Sequence, residues 1–170
     1  MKIRHIAFGL CILTIASFSR ASEELAAEKT QSILNRYTSS AQELTLRALA
    51  FIGVGYRRGG EFPETGFDCS GFVRHVFREG MGLILPRTAR DISRVGEAVN
   101  QDALQPGDLV FFNTLRRSFS HVGIYLGEYR FVHAPATGGE VRIEDIRNNY
   151  WARRFNGARR IAAADISSPE

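Results

Sequence analysis

The segment that decides the fold is Asp68-Cys69-Ser70-Gly71-Phe72-Val73-Arg74-His75-Val76-Phe77. Its apolar residues follow Cys69 by three, four, seven and eight positions, a spacing that places them on one face of an α-helix. Asp68 is of a type favoured at helix N-caps, and glycine is favoured just after helix ends. The segment therefore predicts a helix that begins at Asp68-Cys69 and ends at Gly80, with Cys69 in its first turn.

The position of Cys69 in this helix indicates a reactive thiol. Free N–H groups and the positive end of the helix dipole stabilise a thiolate, so we expect a pKa below the usual ~8.5. The same N–H groups can donate to the oxyanion that forms when a thiolate attacks an acyl carbon. A buried, inert thiol is the alternative interpretation. His75 lies about 240° around the helix from Cys69, so we expect it to face solvent.

Downstream of this helix the sequence changes to strand patterns. A short apolar run follows the turn Gln105-Pro106-Gly107-Asp108, and residues 120–126 then alternate between two faces. Gly127-Glu128 is a predicted hairpin turn. The predicted strands are 109–112, 120–126, 129–134, 141–143 and 157–162, with a short helix or turn near Tyr150-Trp151 between the last two.

Two histidines fall on the predicted hairpin. With the turn at Gly127-Glu128, His121 and His133 are nearly opposite each other and share one face of the sheet. A nucleophilic cysteine needs a base and a group that orients the base. The sequence thus predicts Cys69 as nucleophile, His121 as base and His133 as the residue that orients His121.

Upstream, a first amphipathic helix is predicted from Ser40. Ser40-Ala41-Gln42-Glu43 has the pattern of a capping box, and the apolar residues that follow at helical spacing are Leu44, Ala48, Phe51 and Ile52. Four glycines between positions 53 and 60 open a loop that runs to Asp68. Helices come first and antiparallel strands follow, so the predicted fold class is α+β.

The N-terminus has the plan of a secretory signal peptide. Lys2 and Arg4 precede an apolar run that ends at Phe18, followed by Ser19-Arg20-Ala21, a small-x-small cleavage site. The run is shorter than the ~20 residues needed to span a bilayer, and Cys11 lacks the context of a lipoprotein. We expect a signal peptide at 1–21, a flexible lead-in at 22–38, a catalytic domain at 39–163 and a tail at 164–170.

Composition narrows the function classes. The chain has 170 residues, 44% of them hydrophobic and 24% charged, which suits one folded domain. Two cysteines exclude a four-cysteine zinc site or iron–sulfur cluster. Cleavage after Ala21 would remove three basic and no acidic residues, so the net charge would fall from +4 to +1. We therefore expect an exported, periplasmic monomer without nucleic acid, cofactor, metal or stable membrane anchor.

Three segments resemble the catalytic motifs of the NlpC family of papain-like bacterial cell-wall peptidases. They are Asp68-Cys69-Ser70-Gly71-Phe72-Val73, Ser120-His121-Val122-Gly123-Ile124-Tyr125-Leu126-Gly127 and Arg130-Phe131-Val132-His133-Ala134-Pro135. The resemblance covers about residues 41–162 and, towards the C-terminus, is greatest to the Gram-negative murein endopeptidases. It implies a papain-like fold in which the Cys69 helix packs on an antiparallel sheet of about five or six strands. It also implies a Cys69-His121-His133 triad that acts on peptidoglycan peptides.

Other positions acquire roles through the same resemblance. It implies that Tyr56 stands near the oxyanion, with the Cys69 N–H as second donor. Asp68 and Ser70 would contact substrate, although Asp68 is equally expected as an N-cap. Arg87 would bind a stem-peptide carboxylate or form a structural ion pair. The chain departs from the family at Arg58, where tryptophan is common, and at Ile92, where many relatives have glutamine; both are expected beside the groove.

Three functions remain open on the sequence. The first is a cysteine endopeptidase that cuts the D-alanine–diaminopimelate cross-link or, alternatively, the bond between γ-D-glutamate and diaminopimelate. The second is a catalytically silent peptidoglycan-binding module. The third is a metal site built from Cys69, His121 and His133, for which the sequence offers no fourth ligand.

Overall fold

The computed structural model describes residues 9–114, 117–136 and 139–162. The helices are α1 (Gly9–Leu49), α2 (Cys69–Met81), α3 (Ala89–Ile92) and α4 (Asn149–Ala152), with a 3₁₀ turn at Gln101–Ala103. The strands are β1 (Glu61–Phe62), β2 (Gly66–Phe67), β3 (Glu97–Val99), β4 (Leu109–Phe112), β5 (His121–Gly127), β6 (Arg130–His133), β7 (Arg142–Asp145) and β8 (Phe155–Arg160).

Helix α1 is much longer than the sequence predicted. It does not begin at Ser40, and the lead-in expected at 22–38 is helical. No glycine or proline interrupts residues 10–52, and a capping box within such a run has no free N–H groups to cap. The helix ends at Leu49, so Ile52 is exposed instead of packed.

The chain divides into two compact units, Met1–Ser39 and Ser40–Glu170. Among the described residues, no helix is both long and apolar enough to cross a membrane. The first eight residues of the expected signal peptide and the expected tail at 164–170 lie outside the described residues.

Helix α2 forms where the sequence predicted it. Asp68 is its N-cap and accepts a hydrogen bond from the Gly71 N–H at 2.7 Å. The helix ends one residue later than expected, because Gly82 adopts the left-handed conformation with φ of 67° and caps the last carbonyls. Phe72, Val73, Val76 and Phe77 form its buried face, as the spacing predicted.

A six-stranded antiparallel sheet forms the other half of the fold, which confirms the α+β class. Its strand order is β3-β8-β4-β5-β6-β7, so the last strand inserts between β3 and β4. All five predicted strands are present. Strand β3 and the small β1-β2 hairpin were not predicted, because two or three residues are too few to show a period.

The β5-β6 hairpin turns one residue later than predicted. Glu128 and Tyr129 are the central residues, both with positive φ, and a bulge lies between Tyr125 and Gly127. Tyr125 therefore pairs with Phe131 and Ile124 with Val132. His121 and His133 consequently lie diagonally across the ladder, still on one face of the sheet.

The sheet is covered on both faces. On one face Val122 and Ile124 belong to the core formed with α2. On the other face a smaller cluster surrounds Trp151 of α4, and its fully buried members include Val110, Phe112 and Phe131. The sheet thus separates the core that contains α2 from an aromatic cluster beside the histidines.

His75 is buried, so the prediction that it faces solvent was wrong. Its ring packs against Phe51 at 5.0 Å and Phe67 at 5.2 Å between ring centroids. The β1-β2 hairpin and the residues after α1 cover the side of α2 that faces away from the sheet. Helical spacing determines which face of α2 carries His75, but it does not show which residues cover that face.

Backbone atoms pack directly against each other between the hairpin and α2. A Cβ on Gly71 would lie 2.0 Å from the carbonyl oxygen of Gly60, and one on Gly60 would lie 2.1 Å from that of Gly66. Gly66 also has φ of +97°, a conformation that side-chain-bearing residues rarely adopt. Glycine at these positions therefore allows the hairpin to contact the first turn of α2.

We expect Gly71→Ala to lower the free energy of unfolding by about 1–3 kcal/mol, because the added methyl group displaces backbone. Gly80→Ala is the matched control on the same helix, since the atoms nearest its Cβ would be side-chain atoms of Arg47 and Leu44 at 3.2 and 3.4 Å, and the nearest backbone atom, the Cα of Leu44, would be 3.6 Å away. Alanine favours helix there by about 1 kcal/mol. Urea denaturation followed by circular dichroism measures both variants, and equal losses would contradict the backbone-contact argument.

Candidate active site

The two predicted histidines are joined by a hydrogen bond. Nε2 of His121, the first residue of β5, lies 2.8 Å from Nδ1 of His133, the last residue of β6. The rings are nearly perpendicular, with centroids 5.0 Å apart. His121 is 5% exposed and His133 is fully buried. The sequence prediction that these residues meet is confirmed.

Aromatic rings enclose the histidine pair. Trp151 stacks on His121 with centroids 5.5 Å apart and meets the His133 ring edge-on at 5.0 Å. Burial is the main cause that lowers the pKa of both histidines below the usual range; the neighbouring His133 adds to the effect on His121, and Arg142 adds to that on His133. Both imidazoles are therefore neutral near pH 7.

Cys69 carries a free thiol at the N-terminus of α2. Burial, with a smaller contribution from the Asp68 carboxylate, raises the pKa of this thiol to about 11. The N–H groups of Val122, Ser70 and Cys69 itself favour the thiolate but do not outweigh burial. The prediction of a lowered pKa was therefore wrong: the helix N-terminus acts as expected, but the enclosed position has the larger effect. Because the Val122 N–H interacts with the Cys69 sulfur, Cys69 lies beside the residue that follows His121 in β5.

The Asp68 carboxylate accepts hydrogen bonds from four residues. Its donors are Gly71 N–H at 2.7 Å, Gly59 N–H at 3.1 Å, the Ser70 hydroxyl at 3.1 Å and the Arg87 guanidinium at 2.6 and 3.2 Å. Burial alone would raise the pKa of Asp68, but the bonds from Arg87, Gly71 and Ser70 together lower it. Asp68 is thus an ionised cap that joins the loop at Gly59 to α2.

Arg87 links Asp68 to a second carboxylate. Its Nε lies 2.5 Å from Glu61, which also pairs with Arg74 at 2.6 Å, and its Nη1 donates to the Ser70 hydroxyl at 2.9 Å. These contacts make Arg87 a structural ion-pair partner and occupy Ser70. The Arg87 side chain is still 37% exposed, so its contact with a substrate carboxylate stays a prediction.

Tyr56 is close enough to Cys69 for the thiol to affect its pKa, and its expected position near the oxyanion stays a prediction. Its N–H donates to the Gly139 carbonyl at 2.8 Å, and the neighbouring Arg57 N–H donates to Phe67 at 2.9 Å, which fixes the segment between two parts of the fold. Burial raises the pKa of the Tyr56 phenol, and the nearby Cys69 and Asp68 raise it further. A protonated phenol next to Cys69 is a suitable hydrogen-bond donor.

The structure brings the predicted residues into two groups. Cys69, Tyr56, Asp68, Ser70 and Arg87 lie around the start of α2, and His121 and His133 form the buried pair on the sheet. Ile92 belongs to the core with no exposed surface, so the expectation that it borders the groove was wrong. Arg58 is exposed and close enough to Tyr56 to affect its pKa.

Sequence analysis gave no role to Trp151 or Glu144. Trp151 covers His121, and its indole N–H donates to Glu144. Strand β7 pairs Arg142 with His133, so Glu144 lies two residues along on the same face. Extending the alternation of the predicted strand at 141–143 by one residue would have placed Glu144 beside His133.

Metal ligation was the alternative use of Cys69, His121 and His133. Within residues 9–114, 117–136 and 139–162, no cluster of three or more His, Cys, Asp or Glu side chains is arranged to hold a metal ion.

Comparison with known proteins identifies the class to which this fold and site belong. The model of the NlpC/P60 family matches residues 53–160, which include every candidate site residue. The chain belongs to the NlpC/P60 family.

Curated relatives are murein and glutamyl hydrolases. The chain is 42% identical over 113 residues to murein DD-endopeptidase MepH of Escherichia coli, covering 65% of this chain and 42% of that protein. It is 44% identical over 109 residues to murein DD-endopeptidase MepS/murein LD-carboxypeptidase of E. coli, covering 64% and 56%. It is 43% identical over 112 residues to a γ-DL-glutamyl hydrolase of Bacillus subtilis, covering 65% and 27%. The match thus spans between about a quarter and just over half of these relatives.

Solved structures share the fold. A NlpC/P60 family protein from Bacillus cereus superposes with a TM-score of 0.66 at 34% identity, covering 71% of this chain and 39% of that one. The peptidoglycan hydrolase RipB of Mycobacterium tuberculosis gives a TM-score of 0.62 at 27% identity, covering 75% and 67%. These similarities confirm the fold predicted from the sequence.

We expect the protein to lose stability as pH falls from 7 to 5. His121, His133 and His75 all have a pKa below 6.5 in the folded state, so the unfolded chain binds more protons in this range. Each fully shifted histidine contributes a slope of about 1.4 kcal/mol per pH unit below pH 6.5 and nothing well above it. Urea denaturation at pH 5, 6, 7 and 8 measures the slope. A free energy of unfolding that stays flat from pH 5 to 7 would contradict neutral burial.

We expect Asp68→Asn to lower the free energy of unfolding by about 1–3 kcal/mol, because asparagine still caps Gly71 but loses the charge opposite Arg87. Asp68→Ala also removes the cap, which costs about 1 kcal/mol more. Chemical denaturation at pH 7 compares the two variants with the wild type. Wild-type stability in the asparagine variant would show that the ion pair contributes nothing.

Proposed function

We propose that this protein is a cysteine endopeptidase that hydrolyses peptide bonds of peptidoglycan. The observation that carries the proposal is the buried hydrogen-bonded pair His121–His133, together with a free thiol at the N-terminus of α2 that interacts with the N–H of Val122, the residue after His121. The names of the E. coli and M. tuberculosis relatives, which refer to murein and peptidoglycan, support the substrate class.

Catalysis begins from a neutral thiol and a neutral imidazole. As the Cys69 sulfur bonds to the scissile carbonyl carbon, its proton passes to His121 and the carbonyl oxygen becomes an oxyanion. The Tyr56 hydroxyl and the Cys69 N–H donate to that oxyanion. His121 then gives the proton to the leaving amine, and a thioester remains on Cys69. Water, deprotonated by His121, hydrolyses the thioester and restores the thiol.

The raised pKa of Cys69 determines when the thiol loses its proton. Burial disfavours the thiolate before substrate binds, so the proton leaves the thiol as the sulfur attacks the carbonyl carbon. His133 holds the His121 ring during both transfers through the 2.8 Å hydrogen bond. Trp151 excludes water from the two imidazole rings, which strengthens the hydrogen bond between His121 and His133.

We propose the D-alanine–diaminopimelate cross-link as the bond that is cut, because two E. coli relatives are named DD-endopeptidases. The bond between γ-D-glutamate and diaminopimelate is the second candidate, and the name of the B. subtilis relative favours it. We also propose that residues 1–21 are removed as a signal peptide, which would leave the enzyme in the periplasm without a membrane anchor, and that the enzyme is a monomer.

We expect Cys69→Ala to abolish release of muropeptides from purified peptidoglycan, whereas the wild type releases them with or without chelator. Mass spectrometry of the products identifies the bond. Release by neither protein would favour the binding module, and loss of wild-type activity on chelation would favour a metal site.

A matched pair of histidine variants controls for general loss of structure. His121→Gln removes the base and should reduce release by at least about 100-fold. His75→Gln changes a buried histidine on the other side of α2 and should retain activity once folding is verified by circular dichroism. Equal losses in both variants would contradict the role of His121.

A further inference from the structure

One buried polar atom lies at the far end of the histidine pair. His133 uses Nδ1 to bond His121, while its Nε2 is buried and has no hydrogen-bond partner among the residues that the structure describes. A buried polar group without a hydrogen-bond partner lowers the stability of the folded state, so an acceptor or donor is expected nearby. The nearest carboxylate oxygen recorded for it is Oε1 of Glu144, 3.7 Å away.

Glu144 is held in position by two other donors. The Trp151 indole N–H donates to Oε2, and the Arg142 guanidinium donates to Oε1 at 2.6 and 2.7 Å. The carboxylate is only partly exposed, at 22% of its side chain. The tryptophan that covers His121 therefore also positions the carboxylate behind His133.

The hydrogen-bond pattern determines which nitrogen of His121 can act as the base. Nε2 of His121 faces His133, so only Nδ1 is left to take a proton from Cys69. For Nδ1 to have a lone pair in neutral His121, the ring proton must be on Nε2 and must be donated to His133. His133 Nδ1 must then be the acceptor, and the proton of His133 must be on Nε2, which faces Glu144.

We propose that Glu144 is a positioning residue whose carboxylate accepts the Nε2–H of His133 and thereby keeps Nδ1 of His121 free to act as the base. The inference rests on the proposed peptidase function. Closing the 3.7 Å separation to hydrogen-bond length requires a side-chain movement of less than 1 Å. Arg142 carries the charge opposite to that of Glu144 and pairs with it. The positive guanidinium also disfavours a second proton on His133, so His133 stays neutral.

Glu144→Leu tests this role by removing both acceptor oxygens while keeping a side chain of similar size. Without a carboxylate the Nε2–H of His133 has no acceptor, so the His133 proton moves to Nδ1 and blocks the base position of His121. Asp145→Asn removes a neighbouring charge on the same strand, where Asp145 pairs with exposed Arg147, and is the matched control. Glu144→Asp keeps the carboxylate and is the conservative variant.

Two measurements on the full chain determine the effect of each variant. Imidazole ¹⁵N chemical shifts distinguish the tautomers of His133, and the initial rate of muropeptide release at saturating purified peptidoglycan reports catalysis. In Glu144→Leu we expect the His133 proton to shift from Nε2 to Nδ1. We also expect a rate roughly 10- to 100-fold lower, with KM changed less than about threefold. Asp145→Asn should match the wild type in both measurements, and Glu144→Asp should keep the wild-type tautomer.

The tautomer separates this proposal from the function on which it rests. A wild-type His133 protonated on Nδ1, or a Glu144→Leu variant that keeps the proton on Nε2, would overturn the role of Glu144. Wild-type protein that shows the expected tautomers but releases no muropeptides would overturn the peptidase function alone. An unchanged rate in a correctly folded Glu144→Leu variant would make Glu144 only an ion-pair partner of Arg142.

Discussion

The Asp68 carboxylate is the interaction on which the rest of the site depends. It caps α2 through Gly71, holds the loop at Gly59 and binds Arg87, which continues to Glu61 on the small hairpin. A charged acceptor with several donors is held more firmly than a neutral cap. Because Cys69 is the next residue, the contacts that start the helix also fix the position of the proposed nucleophile.

Burial sets the electrostatics of the remaining groups. The thiol and both imidazoles are neutral at rest, because an enclosed site disfavours their charged forms more than a helix dipole or a neighbouring histidine favours them. In the proposed mechanism, charge develops only when substrate is attacked. The two faces of the sheet divide this task, since one packs against α2 and the other holds the dry aromatic cluster around Trp151.

The spacing of apolar residues was sufficient to predict the longer helix and strands around the site. The helix after Cys69, the five principal strands and the shared face of His121 and His133 all follow from period and turn residues. Failures came from tertiary contacts: His75 is covered by the hairpin, Ile92 enters the core, and burial reverses the expected shift of the thiol pKa. Glu144 and Trp151 were missed because their roles depend on packing across strands that are distant in sequence. The start of α1 was missed because a capping box also occurs inside helices.

The glycine contacts between the hairpin and α2 are made by main-chain atoms. Backbone lies against backbone at Gly60, Gly66 and Gly71, and the Glu61–Arg74 ion pair adds a side-chain link between the hairpin and α2. The exposed side chains of Arg57 and Arg58 project from the same loop beside Tyr56. A substitution of the Arg58 side chain would leave the contact between Gly60 and Gly71 in place, because that contact is between main-chain atoms. For the proposed peptidase, the backbone that positions Cys69 and the exposed side chains available to a substrate can therefore change independently.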